Sequence, residues 1–150
     1  MPDWTIRSAT EGDISSVLSL WVTAASVVSV SDTREGLSRL LATDRDALVI
    51  ADLGGVLVGS LIAGWDGWRG SFYRLAVHPD QRRRGVAMGL LGEGERRLRE
   101  RGAVRLTAIV TDESVAAMGF WEAAGYQRQQ HRARFVRTAE EAGKVSEDGT

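Results

Sequence analysis

The sequence predicts an α/β fold, a mixed sheet with helices on both faces. Three observations lead there. Apolar runs at 47–52 and 56–64 flank Gly54-Gly55, and the second of them is followed by a glycine-rich loop and another apolar run at 71–77, so the first half reads as antiparallel hairpins. The second half reads as strand, helix, strand over 71–77, 85–101 and 104–110, a crossover long enough to join parallel strands. The helical stretches carry apolar residues at helical spacing on one face only, as elements that cover a sheet do.

Thr5 to Ala9 is a short first strand. Thr10-Glu11-Gly12-Asp13 fits a helix start with an acid three residues after the threonine. Ile14, Val17, Leu18, Trp21, Ala24 and Ala25 then share a helical face. Val27 to Val30 is β-branched and either ends that helix or leaves it. Ser31-Asp32-Thr33 caps a second helix carrying Leu37, Leu40 and Leu41. Ala47 to Asp52 and Val56 to Gly64 are strands around the Gly54-Gly55 turn. Gly64 to Gly70 is a hairpin loop, and Ser71 to Val77 is the next strand.

In the long helix Ala87, Leu90, Leu91, Gly94 and Leu98 share a face, with Glu93, Arg96, Arg97 and Glu100 outside, and Gly102 ends it. Val104 to Val110 reads as a buried strand. Ser114 to Ala124 is a short helix ended by Gly125. Tyr126 to Thr138 reads as a strand or a hairpin pair, which makes six to seven strands in all. The crossover is expected to be right-handed. Residues 1–138 form one domain, and 139–150 read as a polar, disordered tail.

Bulk properties narrow the function. The net charge is −1, so no global field steers the chain to nucleic acid or to a membrane surface. With no cysteine there is neither a disulfide nor a thiolate metal site, which fits a cytoplasmic location, and no metal is expected. The N-terminus lacks the basic start and apolar stretch of a signal peptide, and no apolar run approaches membrane-spanning length.

The most informative residues are Arg82-Arg83-Arg84-Gly85-Val86-Ala87. They sit between a strand and a helix N-terminus, where unpaired N–H groups and the helix dipole favour an anion. Gly85 lets the backbone come close to a ligand, and the arginines carry charge that does not switch off. No Lys-Ser or Lys-Thr pair exists for a P-loop. Gly92-x-Gly94 is followed by Arg97 and lies deep in the helix, so a dinucleotide fingerprint is absent too.

Arg82-x-x-Gly85-x-Ala87, preceded by Val77-His78-Pro79, resembles the acetyl-CoA-binding segment of the GNAT superfamily of N-acetyltransferases. Phe120-Trp121-Glu122-Ala123-Ala124-Gly125-Tyr126 resembles that family's segment near the end of its fold, and Gly64 to Gly70 is similar to a hairpin in a small bacterial branch. The resemblance covers residues 4–137. It implies a GNAT-like fold with a central, mostly antiparallel sheet and a splayed strand pair forming an acyl-CoA groove. Pantetheine would lie against the backbone of Leu75, Ala76 and Val77. The pyrophosphate would lie on N–H groups from Arg83 to Met88, through Arg84, Gly85, Val86 and Ala87, beside Arg82. The implied reaction is direct attack of a primary amine on the thioester, with acetyl-CoA as cosubstrate and a small molecule or peptide as acceptor. A homodimer is common in the family.

The chain departs from the family pattern at Trp121, where many members carry a tyrosine that protonates the leaving thiolate; an indole N–H cannot do this. That departure supports a rival reading, an acyl-CoA-binding sensor without catalysis. Ser114 stands where an asparagine is frequent and is carried over, with Trp121, as a cofactor contact. An amine with a pKa near ~10 needs a base. The candidates are Asp112 and Glu113, then Asp66 and Tyr73. Asp66 also reads as a turn former, and Trp65, Trp68, Phe72 and Tyr73 read either as the lining of an acceptor pocket for a greasy or aromatic amine or as core packing or a dimer contact. His78 is expected to be a strand-end residue with a satisfied ring.

Overall fold

The computed structural model describes residues 3–24, 28–110 and 114–139. Strand β1 (Thr5–Ser8) leads through a 3-10 turn (Glu11–Asp13) into α1 (Ile14–Thr23), and α2 (Arg34–Thr43) follows. Three strands come next, β2 (Leu48–Leu53), β3 (Val56–Trp65) and β4 (Gly70–Val77). Helix α3 (Val86–Glu100), β5 (Leu106–Ala108) and α4 (Val115–Ala123) complete the fold. Strand order in the sheet is β1-β2-β3-β4-β5, with β4 and β5 parallel and the other neighbours antiparallel.

Local chemistry sets the boundaries. Asp13 accepts the Thr10 N–H at 2.8 Å, closing the anticipated start of α1. The Thr33 hydroxyl accepts the Gly36 N–H at 3.0 Å and caps α2. Gly54 and Gly55 have φ of 59° and 93°, the left-handed pair that a two-residue hairpin needs. Helix α3 ends at Glu100, with Arg101 as its C-cap residue and the left-handed Gly102 next, and no helix among the described residues is long and apolar enough to cross a membrane.

The sheet separates two apolar layers. On one face α1 and α2 bring Ile14, Val17, Trp21 and Leu37 onto Leu48, Ile50 and Ala76. On the other, α3 brings Val86, Leu90, Leu91 and Leu98 onto Val49, Leu61, Ala63 and Phe72, with Phe120, Trp121 and Tyr126 packed alongside. Close approach of α3 depends on two glycines. A Cβ at Gly59 would stand 2.8 Å from both Leu90 and Val86, and one at Gly94 would stand 2.9 Å from Leu61 and Phe72.

The expectation of six to seven strands is corrected to five among the described residues. The segment 126–138 contains no strand, and residues 127–139 are exposed throughout. The run from Gln127 to Arg134 offers no apolar alternation to bury, and His131 at φ 58° breaks an extended path. Strand β5 is also shorter than the expected 104–110. The anticipated tail beyond residue 139 lies outside the described residues, as do Ala25 and Val27.

An ion-pair cluster ties β1 to both neighbours. Arg7 meets Asp13 at 2.8 Å and Asp52 at 3.2 Å. The Arg7 hydrogen bond holds the Asp13 carboxyl at about 2, below its ordinary 3.8, with burial opposing and the Thr10 bonds assisting. A carboxyl depressed by folding stabilises above its unfolded pKa and loses that contribution as pH falls through the folded one. The cluster is expected to contribute about 1–2 kcal/mol after solvent screening, lost on acidification from pH ~4 to ~2. Comparing acid unfolding of Asp13→Asn with wild type checks this: the variant should be less stable at neutral pH, and the difference should vanish near pH 2.

Candidate active site

The site begins where β4 and β5 part. Their pairing runs from Gly70↔Leu106 to Phe72↔Ala108, and the last bridge is the Ile109 N–H to the Phe72 carbonyl at 3.1 Å. Beyond it β4 continues for five residues, to Val77, with no strand on that edge among the described residues. The expected splay is therefore present, and it opens well before Val110.

The alternation of strand backbone shows which groups face the gap. The His78 N–H donates to the Val58 carbonyl at 2.8 Å, so Val77, one residue earlier, turns its N–H and C=O to the open edge. The side chains of Leu75 and Val77 pack toward α3, and Ala76 is buried toward α1. Any contact these residues make across the gap is therefore a main-chain contact.

A turn carries the open edge into α3. Arg83 and Gly85 both adopt left-handed backbone, at φ 64° and 80°. Gly85 is the N-cap residue and supplies no side-chain cap. The first intrahelical bond is Gly89 N–H to the Gly85 carbonyl at 2.9 Å, so the N–H groups of Val86, Ala87 and Met88 precede the helical ladder. Nothing lies within 4 Å of the position a Gly85 Cβ would take. Arg82, Arg83 and Arg84 are exposed, and none forms an ion pair among the described residues. Open amides, open space and three exposed cations fit a diphosphate group. Val86 is buried under Gly59 and anchors this end of α3 to the sheet.

The remaining candidates divide. Ser114 caps α4, its hydroxyl accepting the Ala117 N–H at 3.1 Å. Trp121 sits in an aromatic cluster, 5.1 Å from Tyr126, 5.4 Å from Phe120 and 6.5 Å from Phe72 between ring centres. That packing explains a large aromatic ring at this position. The Tyr126 hydroxyl donates to Glu95 at 2.7 Å, and burial followed by that bond pushes its pKa up, so it is a poor substitute for the missing acid. Asp112 and Glu113 lie outside the described residues.

Asp66 is a turn former. Its carboxylate accepts the Trp68 and Arg69 N–H groups at 2.7 and 2.6 Å, and these bonds lower its pKa, the wrong direction for a base. Trp68 is 67% exposed, with Arg69 4.0 Å above its ring. Phe72 belongs to the α3-side core, whereas Tyr73 faces the opposite side and lines an open depression with Gly64, Trp65, Asp66, Arg69 and Ser71. The four aromatics considered for an acceptor pocket therefore do not form one wall. The His78 ring nitrogen accepts the Asp80 N–H at 3.1 Å, the satisfied role expected of it.

Two features near the gap have no simple sequence signature. Arg74 is an extra residue in β4, with left-handed backbone at φ 55°. Ser60, a hydroxyl inside an otherwise apolar strand, is fully buried beneath it. A lone polar side chain in an apolar run must have a partner, and that was the available signal.

Comparison with known proteins agrees with this geometry. The family model for the acetyltransferase (GNAT) family matches residues 15–126. An acetyltransferase of Yersinia pestis (strain Pestoides F) is 35% identical over 124 residues, covering 83% of this chain and 88% of the relative. One of Pectobacterium atrosepticum is 34% identical over 122 residues, covering 81% and 86%. Among solved structures, Ard1 from Thermoplasma volcanium superposes with a TM-score of 0.73 at 21% identity, over 83% of this chain and 82% of that one. The PaiA N-acetyltransferase from Thermoplasma acidophilum, solved with coenzyme A, gives 0.71 at 16% identity, over 86% and 92%. The chain belongs to the GNAT family of acetyltransferases.

Proposed function

We propose that this protein transfers an acetyl group from acetyl-CoA to a primary amine by direct attack. The observation that carries the reading is the continuity of the open β4 edge with the amide-lined start of α3. Pantetheine would pair with the backbone at Leu75 to Val77, as an added strand does. The diphosphate would meet the Val86, Ala87 and Met88 amides, with Arg82, Arg83 and Arg84 adding charge. The Val77 N–H is the donor for the oxyanion that develops when the amine attacks. The leaving thiolate, whose acid has a pKa near ~8.5, departs without a dedicated acid. Asp112 and Glu113 remain the base candidates, and the acceptor is a small molecule or a peptide amine.

The test is a thermal melt with acetyl-CoA followed by thiol release with a panel of amines. Millimolar acetyl-CoA should raise the melting temperature by a few degrees, as a ligand at ~100 times its Kd contributes about 2.7 kcal/mol. High salt should weaken the effect, because the three arginines are exposed. Asp112→Asn or Glu113→Gln should lower kcat and leave the acetyl-CoA KM unchanged if either is the base. No stabilisation at millimolar acetyl-CoA would overturn the reading. Stabilisation without amine-dependent thiol release would favour a sensor.

A further inference from the structure

We propose that Trp21 and Ser60 are positioning residues for the cofactor edge of β4, acting through the Arg74 carbonyl. The inference rests on the transferase reading above. Ile62 pairs with Tyr73 and Ser60 with Ala76, two steps on β3 against three on β4, so Arg74 is the extra residue of a bulge. Its backbone is left-handed, a conformation that a residue with a Cβ adopts only when its surroundings hold it there.

The holding groups are on the α1 side. The Trp21 indole N–H donates to the Ser60 hydroxyl at 2.8 Å, and the hydroxyl donates to the Arg74 carbonyl at 2.9 Å. An indole nitrogen only donates, so the hydroxyl must accept from it and direct its own proton to the carbonyl. The relay therefore has one polarity. Its two side chains are also buried, Ser60 fully and Trp21 to 4% exposure. The same indole ring lies 5.2 Å beneath the Arg74 guanidinium, which pairs with Asp32. One tryptophan thus holds both the carbonyl and the side chain of the bulged residue.

The extra residue sets which backbone groups face the gap. In an unbulged strand, every β4 residue after it would shift by one. Val77 would then take the place of His78 opposite Val58, and its N–H would point toward β3. The relay therefore keeps both main-chain groups of Val77 on the open edge, the C=O for a pantetheine amide and the N–H for the oxyanion.

The experiment is calorimetric titration of coenzyme A into wild type, Ser60→Ala, Ser60→Thr and Trp21→Phe, well below each melting temperature. Ser60→Ala should bind about 10-fold more weakly, the equivalent of one lost hydrogen bond. Ser60→Thr, which keeps the hydroxyl, should recover most of that loss. Trp21→Phe should weaken binding in the same direction, and the double variant Ser60→Ala/Trp21→Phe should be no weaker than Ser60→Ala, because both act through one carbonyl. If Ser60→Ala does not fold, Trp21→Phe decides. Wild-type affinity in folded Ser60→Ala, or in Trp21→Phe where only that variant folds, overturns the positioning role and leaves the transferase reading intact. A wild type that binds no coenzyme A overturns both.

Discussion

Replacing Gly85 by glutamate is expected to abolish acetyl-CoA binding while leaving the fold in place. Two effects act, and they can be separated. The first is conformational: Gly85 has φ 80°, so any side chain there costs about 1–2 kcal/mol in the native state. In a chain of this size that is a fall of roughly 3–8 °C in melting temperature. The second is electrostatic. The space where a Cβ would project is open, so a glutamate meets no steric conflict and its carboxylate stands beside the Val86 to Met88 amides. It would occupy the anion seat and repel a phosphate. Each charge-assisted bond to a phosphate contributes about 1.5–3 kcal/mol, so losing two lowers affinity by at least ~100-fold. Gly85→Ala carries the same strain without the charge. It should show a similar fall in melting temperature and only a few-fold weaker binding. Equal binding losses in the two variants would mean that backbone shape, not anion exclusion, is what Gly85 provides.

Phe72→Ala is expected to produce the largest loss of stability of any single change in the sheet. Phe72 is 1% exposed and sits at the last β4 residue paired to β5. Its ring is 6.5 Å from Trp121 and 6.4 Å from Tyr126, and it closes against the backbone of α3 at Gly94. Truncation leaves a cavity beneath α3 and α4 and removes the ring that α4 packs on. Losses of about 3–5 kcal/mol are typical for such a change, against a total of about 5–15. Chemical denaturation with an unchanged m-value would measure it. Phe72→Leu, which refills most of the volume, should recover more than half. A loss below ~1 kcal/mol would show that the aromatic cluster relaxes around the gap.

These two residues also mark how far the sequence could be read. Gly85 was legible because its chemistry is local: strand, glycine and helix start are contiguous, and caps and turns follow from neighbours a few residues away. The same locality made Thr33, the Gly54-Gly55 hairpin and the end of α3 readable. The bulge at Arg74 was not, because it exists only in the register between β3 and β4. The pairs that hold it lie far apart in sequence, Trp21 and Ser60 by 39 residues and Arg74 and Asp32 by 42. Periodicity reports which face is apolar and says nothing of an inserted residue. Residues 126–138 misled for a related reason. The segment was read as a strand or a hairpin pair, yet Phe135 is 93% exposed and its neighbours bring no apolar face to bury. Asp66 was correctly weighed as a turn former, since an aspartate between glycines has its own backbone to bond.

The acyl carrier edge and the diphosphate seat are claimed to form one continuous surface, from the Val77 backbone to the Met88 amide. A crystal structure of this protein with coenzyme A tests that most directly. The diphosphate oxygens should lie within hydrogen-bond distance of the Val86, Ala87 and Met88 nitrogens, with the pantetheine amides bonded to the main chain between Leu75 and Val77. A carrier bound elsewhere, or a gap between β4 and β5 closed by protein side chains, would contradict it.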